Sequence, residues 1–148
     1  MSRVRRILHP TDFSRASRAA FAKALELARQ NRAELIAVHV LTPPVAMAGD
    51  GFLSPTVYEQ LERSSRAHAQ KQLDALIARA RKAGVRARSL LLDGAPAEQI
   101  ARAARSKRAD LIVIGTHGRT GLARFFLGSV AGRVISIVHV PVLTVRGK

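Results

Sequence analysis

The sequence contains no cysteine and no tryptophan. Without cysteine, the chain forms no disulfide bond and offers no thiolate to a catalytic site, an iron–sulfur cluster or a zinc site. Aromatic residues are only 4% of the chain and do not alternate with basic residues, so a surface that stacks nucleic-acid bases is not expected. No stretch approaches the ~20 apolar residues of a membrane-spanning helix. The start of the chain has only Ile7-Leu8 as an apolar run, which predicts no signal peptide and favours the cytoplasm.

Acidic residues are also scarce. The chain has ten Asp and Glu but 25 Lys and Arg, which gives a net charge of +15 and suggests a nucleic-acid partner. The basic residues nevertheless recur along the whole chain at intervals typical of solvated helix faces. Exposed charges more than ~8 Å apart are largely screened at physiological salt, so we interpret the charge as scattered. Non-specific binding to polyanions is then expected as a side property.

The length of 148 residues, with 47% hydrophobic residues, predicts one soluble globular domain spanning 1–148. Apolar runs of strand length alternate with segments of helical periodicity along this chain. Strands are predicted at Val4–Leu8, Glu34–Leu41, Val85–Leu92, Leu111–Ile114 and Val142–Val145, and helices after Ser14 and over Thr56–Ala83, Pro96–Ser106 and Ser129–Val138. In the second helix, Val57, Leu61, Ala69, Leu73, Leu76, Ile77 and Ala80 are predicted to face the core. This alternation predicts a doubly wound parallel α/β sheet that binds ligands beyond the carboxyl ends of its strands.

A glycine-rich loop over 115–128 lies between the fourth strand and the last helix. Gly115, Gly118 and Gly128 would let the main chain approach phosphate oxygens, and the unpaired N–H groups of the next helix would attract an anion. Arg119 and Ser129 add a cation and a hydroxyl donor. An ordinary strand–helix turn that happens to be rich in glycine is the alternative explanation. The loop has neither the Gly-Lys-Ser/Thr ending of a Walker loop nor the Gly-x-Gly-x-x-Gly spacing.

The spacing Gly115-x2-Gly118-x9-Gly128-Ser129 resembles the signature of the ATP-binding branch of the universal stress protein (UspA-like) family. Similar matches extend over residues 4–146 in the family's order. They comprise Ile7–Ser14, Val38–Val40, Asp93-Gly94-x-Pro96, Asp110–Arg119 and Pro141–Val145. The resemblance implies a single Rossmann-like five-stranded sheet of order 3-2-1-4-5. The ends of the first and fourth strands would then lie side by side at one cleft.

The resemblance also implies a nucleotide site, with ATP as the ligand and Mg²⁺ bridging its phosphates. The residues that it implies are Pro10, Thr11, Asp12, Val40, Ile114, Gly115, His117, Gly118, Arg119, Gly128, Ser129 and Val130. The Asp12 carboxylate would accept a hydrogen bond from the nucleoside, and the Val40 main chain would contact the adenine edge. Val substitution at Gly118 or Gly128 should then abolish ATP binding. The charge of +15 and the 42–56 loop are not explained by the resemblance.

Several of these side chains have simpler explanations. Asp12 is by default the N-cap of the first helix, and His39 is by default a hydrogen-bonded core residue. His117 is as well explained by a structural loop role as by contact with a ligand. His9 and His139 lack partners at metal-ligand spacing, so no metal site is expected.

The leading functional hypothesis is an ATP-binding regulatory protein of the stress response that is not an enzyme. The family commonly pairs through its last strand, so a homodimer through Val142–Val145 and an unidentified regulatory partner are expected. A slow ATPase or phosphotransferase is one alternative, although no convincing catalytic base is present. A basic protein associated with nucleic acid is the other, and its binding should weaken steeply with salt.

Overall fold

The computed structural model describes residues 3–42, 54–116 and 128–147. Within them, strands and helices alternate. The elements are β1 (Arg6–Pro10), α1 (Arg15–Asn31), β2 (Glu34–Leu41), α2 (Pro55–Lys82), β3 (Ala87–Asp93), α3 (Pro96–Ser106), β4 (Leu111–Thr116), α4 (Ser129–Ile137) and β5 (Val142–Arg146). All strand pairs are parallel, and the order is β3-β2-β1-β4-β5. The predicted fold class and strand order are therefore confirmed.

Two apolar clusters cover the two faces of this sheet. Phe21 and Leu73, from α1 and α2, pack on one face, and Ile100 and Val134, from α3 and α4, pack on the other. The central strands are consequently buried on both faces, as their nearly continuous apolar sequences predict.

The predicted boundaries are mostly within two residues of those observed. β1 continues to Pro10, which has no N–H to donate to a longer ladder. β4 continues through Gly115 and Thr116, which the sequence analysis assigned to the loop; both pair with β5. Most of the predicted 42–56 and 115–128 loops lies outside the described residues.

The prediction that Val57 and Leu61 face the core is wrong. Both side chains are more than 40% exposed. The 28 residues of α2 span about 42 Å, whereas a strand of seven or eight residues spans about 25 Å. The first turns of α2 therefore extend beyond the sheet that buries Leu73 and Ile77. Within the described ranges, no helix has the length and apolar character to cross a membrane.

Candidate functional site

A cleft of about 240 Å³ opens at the carboxyl ends of the central strands, where β1 lies between β2 and β4. This position is the switch point of the sheet, because the connections leave β1 and β4 in opposite directions. The lining residues are Pro10, Thr11, Asp12, Ser17, Val38, His39, Val40, Pro96, Ile100, Ile114, Gly115, Gly128, Ser129, Val130 and Ala131.

The cleft brings together nine of the twelve residues proposed from the sequence, although about a hundred residues separate the two parts of the set. The other three, His117, Gly118 and Arg119, lie outside the described residues. Six further residues that were not predicted from the sequence line the cleft, namely Ser17, Val38, His39, Pro96, Ile100 and Ala131. Val38 and His39 could have been found, since both directly precede Val40 at the end of β2.

Ser14, rather than Asp12, is the N-cap of α1. The Ser14 hydroxyl accepts from the Ser17 amide at 3.3 Å. Asp12 supports this turn from outside the helix: its Oδ1 accepts from the Ser14 amide at 2.9 Å and from the Ser17 hydroxyl at 2.7 Å. The default assignment of Asp12 as the cap is therefore wrong. These hydrogen bonds hold the carboxylate at the rim of the cleft.

Phe13 has left-handed backbone, with φ of 63°, which is uncommon for a bulky residue and costs about 1–2 kcal/mol. Its amide donates to Thr11 Oγ1 at 3.0 Å, and its ring packs against His39 with centroids 4.6 Å apart. His39 Nδ1 donates to the Thr11 carbonyl at 2.7 Å. His39 is thus hydrogen-bonded, as predicted, but it lines the cleft instead of the core. These contacts fix the backbone that carries Asp12.

Two helices begin at the cleft without a side-chain cap. The N-cap residues of α3 and α4 are Ala95 and Gly128, and neither forms a side-chain hydrogen bond to its helix. The helices α1 and α2, in contrast, are capped by Ser14 and Ser54. The first amides of α4 and the positive end of its dipole therefore offer an anion-binding position beside the Ser129 hydroxyl.

The floor of the cleft is apolar. Val38 and Ile114 from the sheet and Ile100 from α3 are at most 5% exposed, and Val40 and Pro96 continue this surface. An apolar floor between a carboxylate on one side and a helix N-terminus on the other suits a ligand with a flat apolar group, hydroxyls and an anion.

Gly115 is required for a different reason from the one inferred from the sequence. A Cβ atom at this position would lie 2.7 Å from both the carbonyl carbon and the carbonyl oxygen of Ala16, and 2.9 Å from the Ser17 amide nitrogen. A side chain at position 115 would thus point towards α1 and not into the cleft. The glycine at 115 allows the end of β4 to approach the first turn of α1.

His9 lies fully buried directly before this site. Its Nδ1 is 3.0 Å from the Val113 carbonyl oxygen, which can only accept, so Nδ1 carries the proton. Nε2 has no hydrogen-bond partner among the described residues. Burial lowers the pKa of His9 from 6.5 to about 4, against smaller opposing effects of the Val113 carbonyl and the Asp12 carboxylate.

This histidine should make the fold acid-sensitive. Between pH 6.5 and 4 the unfolded chain binds a proton at His9 that the native chain does not, so stability falls as the pH falls. Between pH 7.5 and 4.5 this group should lower the free energy of unfolding by about 2–3 kcal/mol. The free energy of unfolding, measured with urea at both pH values, should fall less in His9→Asn than in wild type. Asparagine keeps a donor towards Val113 but does not titrate. The exposed His68→Gln is the control and should lose as much stability as wild type. An equal loss of stability in wild type and His9→Asn would show that His9 is not responsible for the acid sensitivity.

The described part of the chain contains no group of three or more His, Asp or Glu side chains that could hold a metal ion. A metal ion at this cleft would therefore need the oxygen atoms of a bound anion as ligands.

A sequence model of the universal stress protein family matches residues 3–146. Universal stress protein MJ0531 of Methanocaldococcus jannaschii is 38% identical over 144 residues, which cover 96% of this chain and 82% of that protein. The solved structure of MJ0577, from the same organism, has a TM-score of 0.85 at 26% identity and covers 99% of both chains. A universal stress protein of Archaeoglobus fulgidus, solved in complex with dAMP, has a TM-score of 0.64 at 26% identity and covers 98% of this chain and 99% of that one.

Proposed function

Since this chain belongs to the universal stress protein family, we propose that it binds ATP in the switch-point cleft and acts as a nucleotide-dependent regulatory module of the stress response. One observation carries this proposal. A single cleft joins an apolar floor, the Asp12 carboxylate and the uncapped N-terminus of α4. The dAMP that the Archaeoglobus relative binds has matching parts, namely a base, a sugar and a phosphate.

In the proposed complex, adenine lies on the apolar floor near Val40, and the sugar hydroxyls face Asp12. The phosphates extend to the amides of Gly128, Ser129 and Val130 at the start of α4. His117, Gly118 and Arg119 complete the phosphate site. Mg²⁺ enters on the phosphates, because no cluster of protein ligands is present among the described residues.

The proposed output is binding and not catalysis. Phosphoryl transfer needs a group that positions the attacking nucleophile near the γ-phosphate. Asp12 is the one carboxylate that lines the cleft among the described residues, and its Oδ1 is engaged at the nucleoside side by Ser14 and Ser17. We therefore expect ATP turnover well below ~1 s⁻¹, the low end of ordinary enzymes.

Mass spectrometry of the nucleotide that co-purifies with the protein tests the proposal. An adenine nucleotide in near-stoichiometric amount is the expected result. Protein that carries none, and that does not take up added ATP with Mg²⁺, would contradict the proposed function.

We also propose that the protein pairs through β5. This strand is the edge of the sheet next to β4, and its Leu143 is 38% exposed. Ile135 of α4 and Val130 at its start are similarly exposed. An edge strand with apolar side chains is a site where another chain can add.

Leu143→Lys should convert the dimer to a monomer, because a charged side chain would be buried at the centre of the paired strands. Light scattering coupled to size exclusion measures the mass directly. Val57→Lys, an equally exposed apolar position on α2, is the matched control and should remain dimeric. A wild-type protein that runs as a monomer at micromolar concentration would rule out the pairing.

A further inference from the structure

The basic residues are not scattered in space. Thirteen of the 25 Lys and Arg, but only two of the ten Asp and Glu, fall in four short segments of the chain. These segments are 3–6, 29–34, 79–88 and 105–110. They contain the start of β1 and the turns by which α1, α2 and α3 lead into β2, β3 and β4.

The parallel topology brings these segments to one edge of the sheet, opposite the nucleotide cleft. Backbone hydrogen bonds join them directly: Glu34 donates to Arg5 at 2.9 Å, and Asp110 donates to Arg6 at 2.8 Å. Leu35 donates to Arg86 at 2.8 Å. The interpretation of the charge as scattered is therefore wrong for the arginines that line this edge, because the fold brings together residues that lie far apart in the sequence.

This edge contains a concave pocket of about 400 Å³. It is lined by Arg3, Arg5, Arg6, Arg32, Arg86 and a single acidic residue, Glu34. We call these five arginines the basic pocket. The pocket lies at the opposite end of the strands from Pro10 and Thr116, so it shares no residue with the nucleotide cleft.

The fold leaves much of this charge uncompensated. Glu34 pairs at 3.4 Å with Arg88, which does not line the pocket. Asp110 is engaged by the amides of Arg5 and Arg6 at 2.8 and 3.0 Å. In the parts of the chain that the structure describes, Arg5, Arg6 and Arg32 form no ion pair.

Structural roles account for only some of the guanidinium groups. Arg3 donates to the Asn31 carbonyl at 3.2 Å and Arg86 donates to the Arg32 carbonyl at 3.4 Å, so both bind the negative C-terminal end of α1. These bonds fix two arginines beside the pocket. They do not explain why the remaining three surround the same space.

Two arginines at this edge occupy backbone that favours glycine. Arg32 and Arg108 have φ of 53° and 54° at the turns after α1 and α3, whereas the equivalent turn after α2 has Gly84 at 83°. Left-handed backbone is unfavourable for a residue with a Cβ, and glycine or asparagine is usual after a helix. The sequence thus keeps positive charge at this edge at a cost to stability.

We infer that the basic pocket binds a compact anion that carries several phosphate groups, such as a short chain of linked phosphates. The guanidinium fork matches phosphate oxygens in pairs. Five arginines against one glutamate leave a net charge of +4, which a chain of two or three linked phosphates would largely neutralise. The volume is that of a small-molecule site, and the lining has no aromatic residue to stack a base, which favours this ligand over nucleic acid.

Calorimetric titration of the full chain with sodium tripolyphosphate tests this inference. All titrations use the Gly128→Val background without ATP. This substitution blocks the phosphate position of the nucleotide cleft, whereas the triphosphate of ATP would itself compete for the basic pocket. One-to-one binding that weakens with salt is expected, and the double variant Arg5→Gln/Arg6→Gln should lose about tenfold or more in affinity. The matched control Arg63→Gln/Lys71→Gln removes two charges from exposed positions on α2 and should change affinity by about twofold or less.

Arg32→Gly separates binding from folding. Glycine relieves the left-handed backbone, so the melting temperature should rise by about 2–4 °C while tripolyphosphate affinity falls. A loss of binding in a more stable protein cannot come from damage to the fold.

Three results would overturn the inference. One is no binding of tripolyphosphate at low salt. Another is a loss of affinity in Arg63→Gln/Lys71→Gln as large as in Arg5→Gln/Arg6→Gln, which would indicate unspecific attraction by the total charge. The third is tighter binding of a single-stranded oligonucleotide than of tripolyphosphate by wild-type protein but not by the double variant, which would assign the pocket to nucleic acid.

Discussion

Gly115→Ala should destabilise the protein by about 3 kcal/mol, a large part of the ~5–15 kcal/mol that holds a domain of this size. The new methyl group would lie 2.7 Å from the carbonyl carbon and oxygen of Ala16, closer than such atoms can approach. Because the neighbouring atoms are backbone, a side-chain rotation cannot relieve the contact. Either α1 must move away from β4, or β4 must bend at its last residues.

Gly132→Ala is the matched control for this substitution. A Cβ atom at Gly132 meets nothing within 4 Å, and the residue lies inside α4, where alanine is preferred to glycine. This variant should gain about 0.5–1 kcal/mol. Urea unfolding of both variants measures the two effects. Equal stabilities would show that α1 does not press on β4 as the structure describes.

Gly128→Val should weaken ATP binding by about 10- to 100-fold while the fold survives. Each hydrogen bond from an amide to a charged phosphate is worth about 1.5–3 kcal/mol, and a branched side chain at the first residue before α4 would block that approach. The backbone at Gly128 has φ of −54° and ψ of 148°, which valine adopts without strain. The loss of a favourable N-cap residue costs only about 1 kcal/mol of stability.

The control adds the same side chain to the same helix one turn later. Gly132→Val occupies open space and lies outside the cleft, so ATP affinity should not change. Calorimetric titration with ATP and Mg²⁺ compares the two variants with wild type. Unchanged affinity in Gly128→Val would contradict the placement of the phosphates at α4.

The sequence predicted the fold well because its signals are local and mutually consistent. Apolar runs such as Leu35–Val38 and Ile112–Ile114 are buried on both faces of a sheet, and the alternation with helices then favours parallel strands. The strand order came from the family resemblance, since periodicity alone does not distinguish one doubly wound order from another.

The sequence placed residues such as Asp12 and Gly115 at one cleft because they stand at the ends of neighbouring strands. That this cleft holds a nucleotide stays a prediction. The reason why residue 115 must be glycine was not predictable. It depends on the close approach of Ala16, which is about a hundred residues away in the sequence. The burial of His9 could not be read from the sequence for the same reason, since Phe21 and Val113 enclose it from other elements.

The basic pocket shows the same limit most clearly. Arg5, Arg32 and Arg86 look like isolated charges when the chain is read in order. They meet because every helix-to-strand turn of a parallel sheet returns the chain to one edge. The periodicity of apolar residues predicts which face of a helix or strand is exposed to solvent. It does not predict which ends of different elements lie next to one another in the fold.

The most direct measurement is a calorimetric comparison of ATP and adenosine, each with Mg²⁺, on the wild-type protein. If the cleft holds the nucleoside on its floor and the phosphates at the N-terminus of α4, ATP should bind about tenfold or more tightly than adenosine. Equal affinities, or no binding of either ligand, would contradict a nucleotide site whose phosphates lie at Gly128 and Ser129.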